Sequence, residues 1–335
     1  MKALLDQVVR GGHLSRDDAT RAFEDIISGG AEPLLVAALL AALATRGETV
    51  DEIAGATRAL RRHMTPLRCP ADAVDTCGTG GDGISTFNVS TAAAIIAAGA
   101  GVPVAKHGNR TSSRASGSAE VLEALGVCIT ADVATVERCI AEAKVGFLYA
   151  RSLHPAMKHA APIRAALGIR TIFNLLGPLA NPGGVTRQVL GVAQARWQEP
   201  LARVLRELGA RHVWVVHGED GLCDLTVTGR TRVVELRDGA HRSFTVHPQE
   251  CGLTPGSLDD LRVESPSASA RAIRSVLQGE AGPHRDHALL NAGAAILVGG
   301  RADTLGDGVA LAARAVDSGA AAAALDTLVE RSHGR

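Results

Sequence analysis

The feature that most constrains the fold is a change of pattern near residue 70, after which short apolar runs alternate with segments of helical periodicity. Repeated alternation of this kind is typical of a mostly parallel sheet covered by helices. Between residues 218 and 285 threonine, valine and arginine alternate, which predicts a smaller antiparallel insert. The predicted strands are 73–76, 102–105, 145–150, 188–193 and 212–217, and the predicted helices are 90–99, 118–125, 131–143, 154–167, 199–208, 286–297 and 306–330.

The first sixty-odd residues predict helices only. Ser15 begins a capping-box pattern before an apolar stripe, and Thr49 begins another. Pro33 lies near the start of an apolar helix that runs to about Arg46. The segment 34–44 is apolar on nearly all sides, so we expect it to be buried in a bundle or against a second subunit.

Composition excludes several classes of function. Aromatic residues make up only 2% of the chain, and 35 basic residues balance 35 acidic ones, so neither base stacking nor a basic field favours nucleic acid. Six cysteines lack any CxxC pair and are expected to be reduced thiols. The charged N-terminal segment is not a signal sequence, and the apolar run from Thr91 to Pro103 is shorter than the ~20 residues that span a bilayer. We therefore expect a soluble cytoplasmic protein.

A glycine-rich segment, DTCGTGGDGISTFNVST at 75–91, follows the first predicted strand and leads into a helix. Backbone amides at such a junction, together with the helix N-terminus, form an anion site. Asp82 and the nearby hydroxyl residues favour a phosphate accompanied by a cation over a simple tight turn. Ser90 or Thr91 is expected to cap the helix, to donate to phosphate, or to bind a hard cation. The segment is neither a Walker A loop nor a dinucleotide fingerprint.

Three further segments carry charged groups. Lys106, His107 and Arg110 follow the second predicted strand, and strand ends are where open α/β sheets bind ligands. On the predicted helix 154–167, Arg164 lies ten residues after a histidine and either grips a carboxylate or is simply solvated. The segment VVHGEDGLCDLTVTG at 215–229 has three acids in six positions, which suit either magnesium on a phosphorylated substrate or an acidic turn.

The motifs DTCGTGGD, FNVST, KHGNR, HPAM, IRAALGIRTIFNLLGPLANP and HGEDGL stand in an order and spacing that resemble the anthranilate phosphoribosyltransferase family. The resemblance covers the whole chain, including GETVDEIAGATRAL near the start and LNAGAAILVGG near the end. It implies an α/β fold in which a small all-helical domain is hinged to a larger, mostly parallel α/β domain. We expect the helical domain to comprise 1–68 with helices around 154–180, and the α/β domain to comprise 69–335. The resemblance also implies a homodimer formed through the helical domain.

The implied reaction joins the amine of anthranilate to C1′ of 5-phosphoribosyl 1-diphosphate (PRPP) and releases pyrophosphate, with Mg²⁺ as cofactor. Because the aniline nitrogen is an uncharged nucleophile, no general base is assigned, and catalysis is expected to rest on positioning and on stabilising the leaving group. By the family's pattern, the PRPP-binding residues are Gly78, Gly81, Asp82, Thr86, Asn88, Val89, Ser90, Thr91, Lys106 and Ser118; the anthranilate-binding residues are Gly78, His107, Asn109 and Arg164; and the magnesium ligands are Ser90 and Asp224.

Two positions depart from the family's pattern. Cys223-Asp224 stands where the family has an Asp-Glu pair, and a thiol is a poor ligand for magnesium. Arg114, at a position that is usually small, either replaces part of the lost metal charge or points to solvent. Because of these departures, a second interpretation stays open: a phosphoribosyltransferase that uses another aromatic amine or aminobenzoate as its acceptor. A pyrimidine nucleoside phosphorylase and a non-catalytic nucleic-acid-binding relative are weaker alternatives, because their motifs and basic charge are lacking.

Overall fold

A computed structural model describes residues 1–111 and 115–334. Four helices form the N-terminal part, and the caps predicted from sequence are present. Ser15 Oγ accepts from the Asp18 amide, and Thr49 and Glu52 form a reciprocal capping box. These helices are α1 (Lys2–Val9), α2 (Arg16–Ser28), α3 (Pro33–Arg46) and α4 (Val50–Arg62).

One seven-stranded sheet organises the rest of the chain, in the spatial order β3-β2-β1-β4-β5-β6-β7. The first five strands are parallel, and the hairpin β6–β7 continues the same sheet in antiparallel fashion. Of the antiparallel insert predicted at 218–285, only the hairpin at 231–246 forms antiparallel strands, and this hairpin extends the main sheet instead of forming a separate insert. The strands are β1 (Val74–Gly78), β2 (Val104–Gly108), β3 (Val145–Tyr149), β4 (Arg187–Gly191), β5 (His212–Gly218), β6 (Thr231–Arg237) and β7 (Ala240–Val246).

Helices cover both faces of this sheet, and neighbouring strand residues face opposite layers. Val189 and Trp214 join the core built on the helices that follow β1 and end the chain, whereas Leu190 and Val215 join the core shared with the N-terminal helices. The helices after β1 are α5 (Val89–Gly99), α6 (Ser118–Leu125), α7 (Val133–Glu142), α8 (Ala150–Leu153), α9 (Ala161–Leu167), α10 (Phe173–Leu176), α11 (Gln198–Glu207), α12 (Pro266–Leu277), α13 (Pro283–Val298), α14 (Leu305–Asp317) and α15 (Ala320–Ser332).

Two predicted helices are broken, and one longer helix was not predicted. The segment 154–167 was expected to be continuous, but it forms a 3₁₀ turn at Pro155–Lys158 and then α9, because prolines 155 and 162 lack an amide donor and restrict the residue before them. The segment 306–330 is interrupted at Gly319, which adopts φ +78°. Helix α12 was missed because the whole of 218–285 was assigned to an antiparallel insert, although Ser265 caps the helix and Ala270, Ile273 and Leu277 recur at helical spacing.

Within the described residues no single helix is both long and apolar enough to cross a membrane. Helices α14 and α15 meet the length and hydropathy criteria only as a pair, and they are bent by 68° at the break between them.

Candidate active site

The crevice at the carboxyl ends of β1 and β4 is where the strand order reverses. From β1 the chain winds through β2 and β3 on one side, and then returns to place β4 and β5 on the other. Open α/β sheets bind ligands at such a switch point. The glycine-rich segment follows β1 and the acidic segment follows β5, so the fold brings the two predicted motifs to the same edge of the sheet.

The loops at this edge pack closely because glycines face one another. Gly78 pairs with Gly191 at the ends of β1 and β4. A Cβ added to Gly191 would lie 1.6 Å from the carbonyl oxygen of Cys223, which no side chain tolerates. Gly191 therefore lets the acidic loop lie across the end of β4, beside the glycine loop.

Asp82 joins these two loops. Its Oδ1 accepts from the Ile84 amide at 3.1 Å, and its Oδ2 accepts from the Cys223 amide at 3.2 Å and from Cys223 Sγ at 3.1 Å. The thiol, at the position where the resemblance implies a carboxylate, is thus buried and donates to an acid of the glycine loop. In this position Cys223 connects the two loops without adding a negative charge.

Lys106 and His107 lie within β2, whereas the sequence analysis placed them after the strand. The strand spans 104–108 instead of the predicted 102–105, so it includes both residues, and their side chains are buried. The Lys106 ammonium donates to the Thr76 carbonyl at 2.6 Å and to Ser90 Oγ at 3.2 Å. Burial lowers the pKa of Lys106, and the charge of buried Asp75 opposes this shift. The lysine is therefore a fixed cation between β1 and the start of α5.

Two buried histidines lie side by side: His107 follows Lys106 in β2, and His154 is the residue after α8. His107 Nδ1 lies 3.1 Å from the carbonyl of Gly177, so this nitrogen carries the proton, and His107 Nε2 lies 3.2 Å from His154 Nε2. Burial lowers the pKa of His107 to about 3 and that of His154 to about 4. Both rings are neutral at pH 7, and the Nε2–H of His154 donates to His107.

Hydroxyl groups gather at the N-terminus of α5. Asn88 is its N-cap residue, but no side chain caps the helix, so the expected capping by Ser90 or Thr91 is wrong. The side-chain amide of Asn88 instead donates to the Ser116 carbonyl and accepts from the hydroxyls of Ser116 and Ser269. The hydroxyls of Thr86 and Thr91 are buried without a hydrogen-bond partner among the described residues. Buried polar atoms in this condition are costly unless a ligand satisfies them.

The other residues predicted to bind substrate differ in whether their side chains are free to contact a ligand. The side chain of Val89 is buried in the core, so only its backbone could meet a ligand. Ser118 Oγ donates to the Asn109 carbonyl at 3.3 Å, and the Asn109 side chain is bonded to the amide of the next residue. The Arg164 guanidinium lies 5.3 Å from the centre of the Phe173 ring, and burial lowers its pKa. Arg114 lies outside the described residues.

The proposed magnesium ligands lie together. Ser90 and Asp224 line one small cavity with Thr76, Cys77 and Asn291, among other residues. Hydroxyl and carboxylate oxygens are hard donors that suit Mg²⁺, which usually completes its shell with substrate phosphate and water. In the part of the chain that is described, no three His, Cys, Asp or Glu side chains cluster as a metal site. The donor set therefore fits a magnesium that arrives with a phosphorylated substrate.

Three residues that support the site were not predicted from sequence: Asp75, Asn181 and Asn291. Asp75 accepts from the His107 amide and from Asn181, so it supports β2 and its histidine. The sequence did indicate that Asp75 matters, since a carboxylate in a buried strand needs a hydrogen-bond partner. Asn291 in α13 accepts from the Leu225 amide and donates to the Leu225 carbonyl, which fixes the residue after Asp224.

Comparison with known proteins identifies the family. The glycosyl transferase family, a/b domain, matches residues 70–322, and the glycosyl transferase family, helical bundle domain, matches residues 2–64. Curated anthranilate phosphoribosyltransferases from Methylocella silvestris and from Rhodopseudomonas palustris (strain BisA53) are 53% and 52% identical, over 99% of this chain and 95% and 98% of theirs.

Solved structures agree with the sequence relatives. The anthranilate phosphoribosyltransferase of Thermus thermophilus is 42% identical, with a TM-score of 0.92 over 98% of this chain and 99% of that chain. The enzyme from Saccharomyces cerevisiae, solved in complex with PRPP and Mg, is 27% identical, with a TM-score of 0.90 over 100% of this chain and 99% of that chain. By fold and by sequence, this chain belongs to the anthranilate phosphoribosyltransferase family.

Proposed function

We propose that this protein transfers the phosphoribosyl group of PRPP to the amine of anthranilate, giving N-(5-phosphoribosyl)anthranilate and pyrophosphate. The observation that carries this proposal is the meeting of the glycine loop, the hydroxyl-lined N-terminus of α5 and the Lys106 ammonium at the topological switch point. Such a site combines backbone donors, a helix N-terminus and a fixed cation, which are the groups that bind a diphosphate.

The unpartnered hydroxyls of Thr86 and Thr91, counted among the described residues, support a ligand that accepts hydrogen bonds in this crevice. The predicted PRPP contacts of Gly78, Gly81, Asp82, Ser90 and Ser118 are part of the same proposal, as are backbone contacts of Asn88 and Val89. With diphosphate as leaving group, these residues would stabilise the charge that develops as the bond to C1′ breaks.

The acceptor half of the proposal rests on Arg164 and His107, with Asn109 and Gly78 as the other expected contacts. The guanidinium of Arg164 stacks on an aromatic ring and forms no ion pair among the described residues, so it is available for a carboxylate. Because the aniline nitrogen is already neutral, the low pKa of His107 is no obstacle. Both ring nitrogens are already hydrogen-bonded within the protein, so the histidine would lie beside anthranilate and would not deprotonate its amine.

Ser90 and Asp224 would hold Mg²⁺, which supplies charge neutralisation for the leaving pyrophosphate when bound. Their shared cavity and hard oxygen donors support this assignment. Cys223 is not included, because its thiol donates to Asp82 and is a soft ligand.

We also propose that the protein is cytoplasmic and that it forms the homodimer through the helical domain that the resemblance implies. All six cysteines are free, as expected in a reducing compartment. On helix α3 the residue Leu34 is 75% exposed, and on α1 the residue Val9 is 67% exposed. We propose that these apolar residues of the helical domain contact a second copy. Light scattering after size exclusion would test the mass, and a monomer at micromolar concentration would contradict it.

A panel of acceptors tests the reaction itself. Purified protein, PRPP and Mg²⁺ would be incubated with anthranilate, 3-aminobenzoate, 4-aminobenzoate or aniline, and pyrophosphate release would be measured. We expect release with anthranilate and little with aniline, which lacks the carboxylate for Arg164. Faster turnover with another aminobenzoate would establish the alternative acceptor, and no release with any amine would overturn the proposal.

A further inference from the structure

Arg170 lies on the glycine loop, although no motif assigns it a role. It belongs to the short segment between α9 and α10, which follows the turn at Gly168. A Cβ added to Gly81 would lie 1.5 Å from Arg170 Nη1 and 2.5 Å from its Cζ. The guanidinium therefore packs directly against the Cα of Gly81. Its Nη2 also lies 3.4 Å from the carbonyl oxygen of Thr79.

The guanidinium of Arg170 forms few bonds within the protein. Arg16 and Arg110, by contrast, each form an ion pair with a nearby carboxylate. Among the residues that the structure describes, Arg170 has no carboxylate within ion-pair distance, although Asp82 acts on it electrostatically. Of its five N–H donors, only one has an acceptor in the described part of the chain. The group is thus an exposed, oriented cation at the mouth of the proposed diphosphate site.

Position distinguishes Arg170 from the residue proposed for the carboxylate. Arg164 lies on α9 over Phe173, whereas Arg170 lies over Thr79 and Gly81, whose loop follows β1. Lys106 is already bonded on the inner side of this site. A diphosphate carries several negative charges, so a second cation on the outer side of the glycine loop complements it.

We propose that Arg170 is a further ligand of the diphosphate group of PRPP and of the pyrophosphate product, contacting it from the segment that connects the helical part to the sheet. This inference rests on the proposed function. It adds a residue from the opposite side of the crevice to the groups supplied by the β1 loop and α5. Diphosphate binding would then hold the segment 168–172 against the glycine loop.

Binding of inorganic pyrophosphate tests the inference without any acceptor. Titration calorimetry with Mg²⁺ would compare the wild-type protein, Arg170→Gln, Arg170→Lys and the control Arg203→Gln, an exposed arginine of α11. We expect Arg170→Gln to weaken pyrophosphate binding about ten- to a hundred-fold, the loss typical of a charge-assisted hydrogen bond. Arg170→Lys should recover part of the affinity, and Arg203→Gln should leave it unchanged.

Steady-state kinetics separates this role from the others. The KM for PRPP should rise with the loss of pyrophosphate affinity, while the KM for anthranilate stays within about two-fold. Unchanged pyrophosphate affinity in Arg170→Gln, or a rise confined to the KM for anthranilate, would overturn the inference while the proposed function stands. If the wild-type protein binds no pyrophosphate and consumes no PRPP, the proposed function fails as well.

Discussion

The thiol of Cys223 lies 3.1 Å from Oδ2 of Asp82 and donates a hydrogen bond to it. This contact joins the loop after β5 to the glycine loop after β1. The thiol lies at the position where the resemblance implies a carboxylate. A carboxylate at residue 223 would instead face Asp82 as a like charge, unless a cation separated the two.

Cys223→Asp should therefore make the protein more dependent on magnesium. Without Mg²⁺ the two carboxylates should lower the free energy of unfolding by about 1–3 kcal/mol. Adding Mg²⁺ should restore stability and lower the concentration needed for half-maximal rate below that of the wild-type protein. Melting curves and rates over a magnesium titration would measure both effects, with Cys128→Asp as the control.

Asp224→Ala should have the opposite effect on the same titration, raising the half-maximal magnesium concentration or abolishing activity, because it removes a hard oxygen ligand. Superimposable magnesium curves for the wild-type protein, Cys223→Asp and Asp224→Ala would contradict a metal role for this loop.

Arg164→Ala should raise the KM for anthranilate more than the KM for PRPP. Loss of a charge-assisted contact to a carboxylate costs about 1.5–3 kcal/mol, which is roughly ten- to a hundred-fold in affinity. The variant also loses its contact with Phe173, so Arg196→Ala, which removes a similar contact with Trp197, serves as the control for stability. An unchanged KM for anthranilate in folded protein would contradict the assignment.

Lys106→Met should reduce both turnover and stability. The side chain is buried, and its ammonium satisfies the Thr76 carbonyl and bonds to Ser90. An apolar replacement leaves that carbonyl without a donor and leaves Asp75 without its neighbouring cation, at a cost of about 1–3 kcal/mol. Asp82 lies on the glycine loop, so Asp82→Asn should reduce turnover with a smaller change in melting temperature than Lys106→Met causes. Equal melting shifts for the two variants would contradict this distinction.

Much of the architecture follows from the sequence, since apolar periodicity and capping residues act over short distances. The caps at Ser15 and Thr49 and all five parallel strands were predicted within a few residues. The exact bounds of β2 were not predicted, because pairing with β1 and β3 decides which residues enter a strand. That shift matters for the site, since it buries Lys106 and His107 instead of placing them in a loop.

Long-range partners account for the rest of what the sequence did not predict. Asp75 and Asn181 are 106 positions apart, yet they share a hydrogen bond of 2.8 Å. Arg170 meets the glycine loop 91 positions away. No local pattern specifies such pairs, because the chain must first form the sheet that brings them together. The glycine loop itself was recognisable, since its composition is unusual over a short span.

Asn291→Ala tests whether a residue outside the motifs positions the acidic loop. Its amide holds both backbone groups of Leu225, next to Asp224, and its removal leaves them unpaired. We expect the half-maximal magnesium concentration to rise several-fold and the stability to fall by about 1–3 kcal/mol. Gln198→Ala is the matched control, because this buried amide also bonds two backbone carbonyls but lies away from the cavity. Equal magnesium requirements in the two variants would show that Asn291 is only structural.

Glu235, on strand β6, should account for part of the pH dependence of the protein's stability in acid. Burial alone would raise the pKa of Glu235, but hydrogen bonds from His212, Trp214 and Arg242 outweigh it and lower the pKa to about 2. A depressed carboxyl pKa adds stability that is present above the unfolded value of 4.5 and is lost as the pH falls toward 2.

Glu235→Gln should therefore destabilise the protein at pH 7 by the order of 2 kcal/mol, and its deficit relative to the wild-type protein should shrink as the pH falls below about 4.5. Buried histidines such as His107 also weaken the fold in acid, but they are common to both proteins and cancel in the difference. Urea unfolding from pH 7 to pH 3 would measure it, with Glu219→Gln, at a surface ion pair with Arg232, as the control. A deficit that stays constant across this range would mean that Glu235 acts through packing and not through its charge.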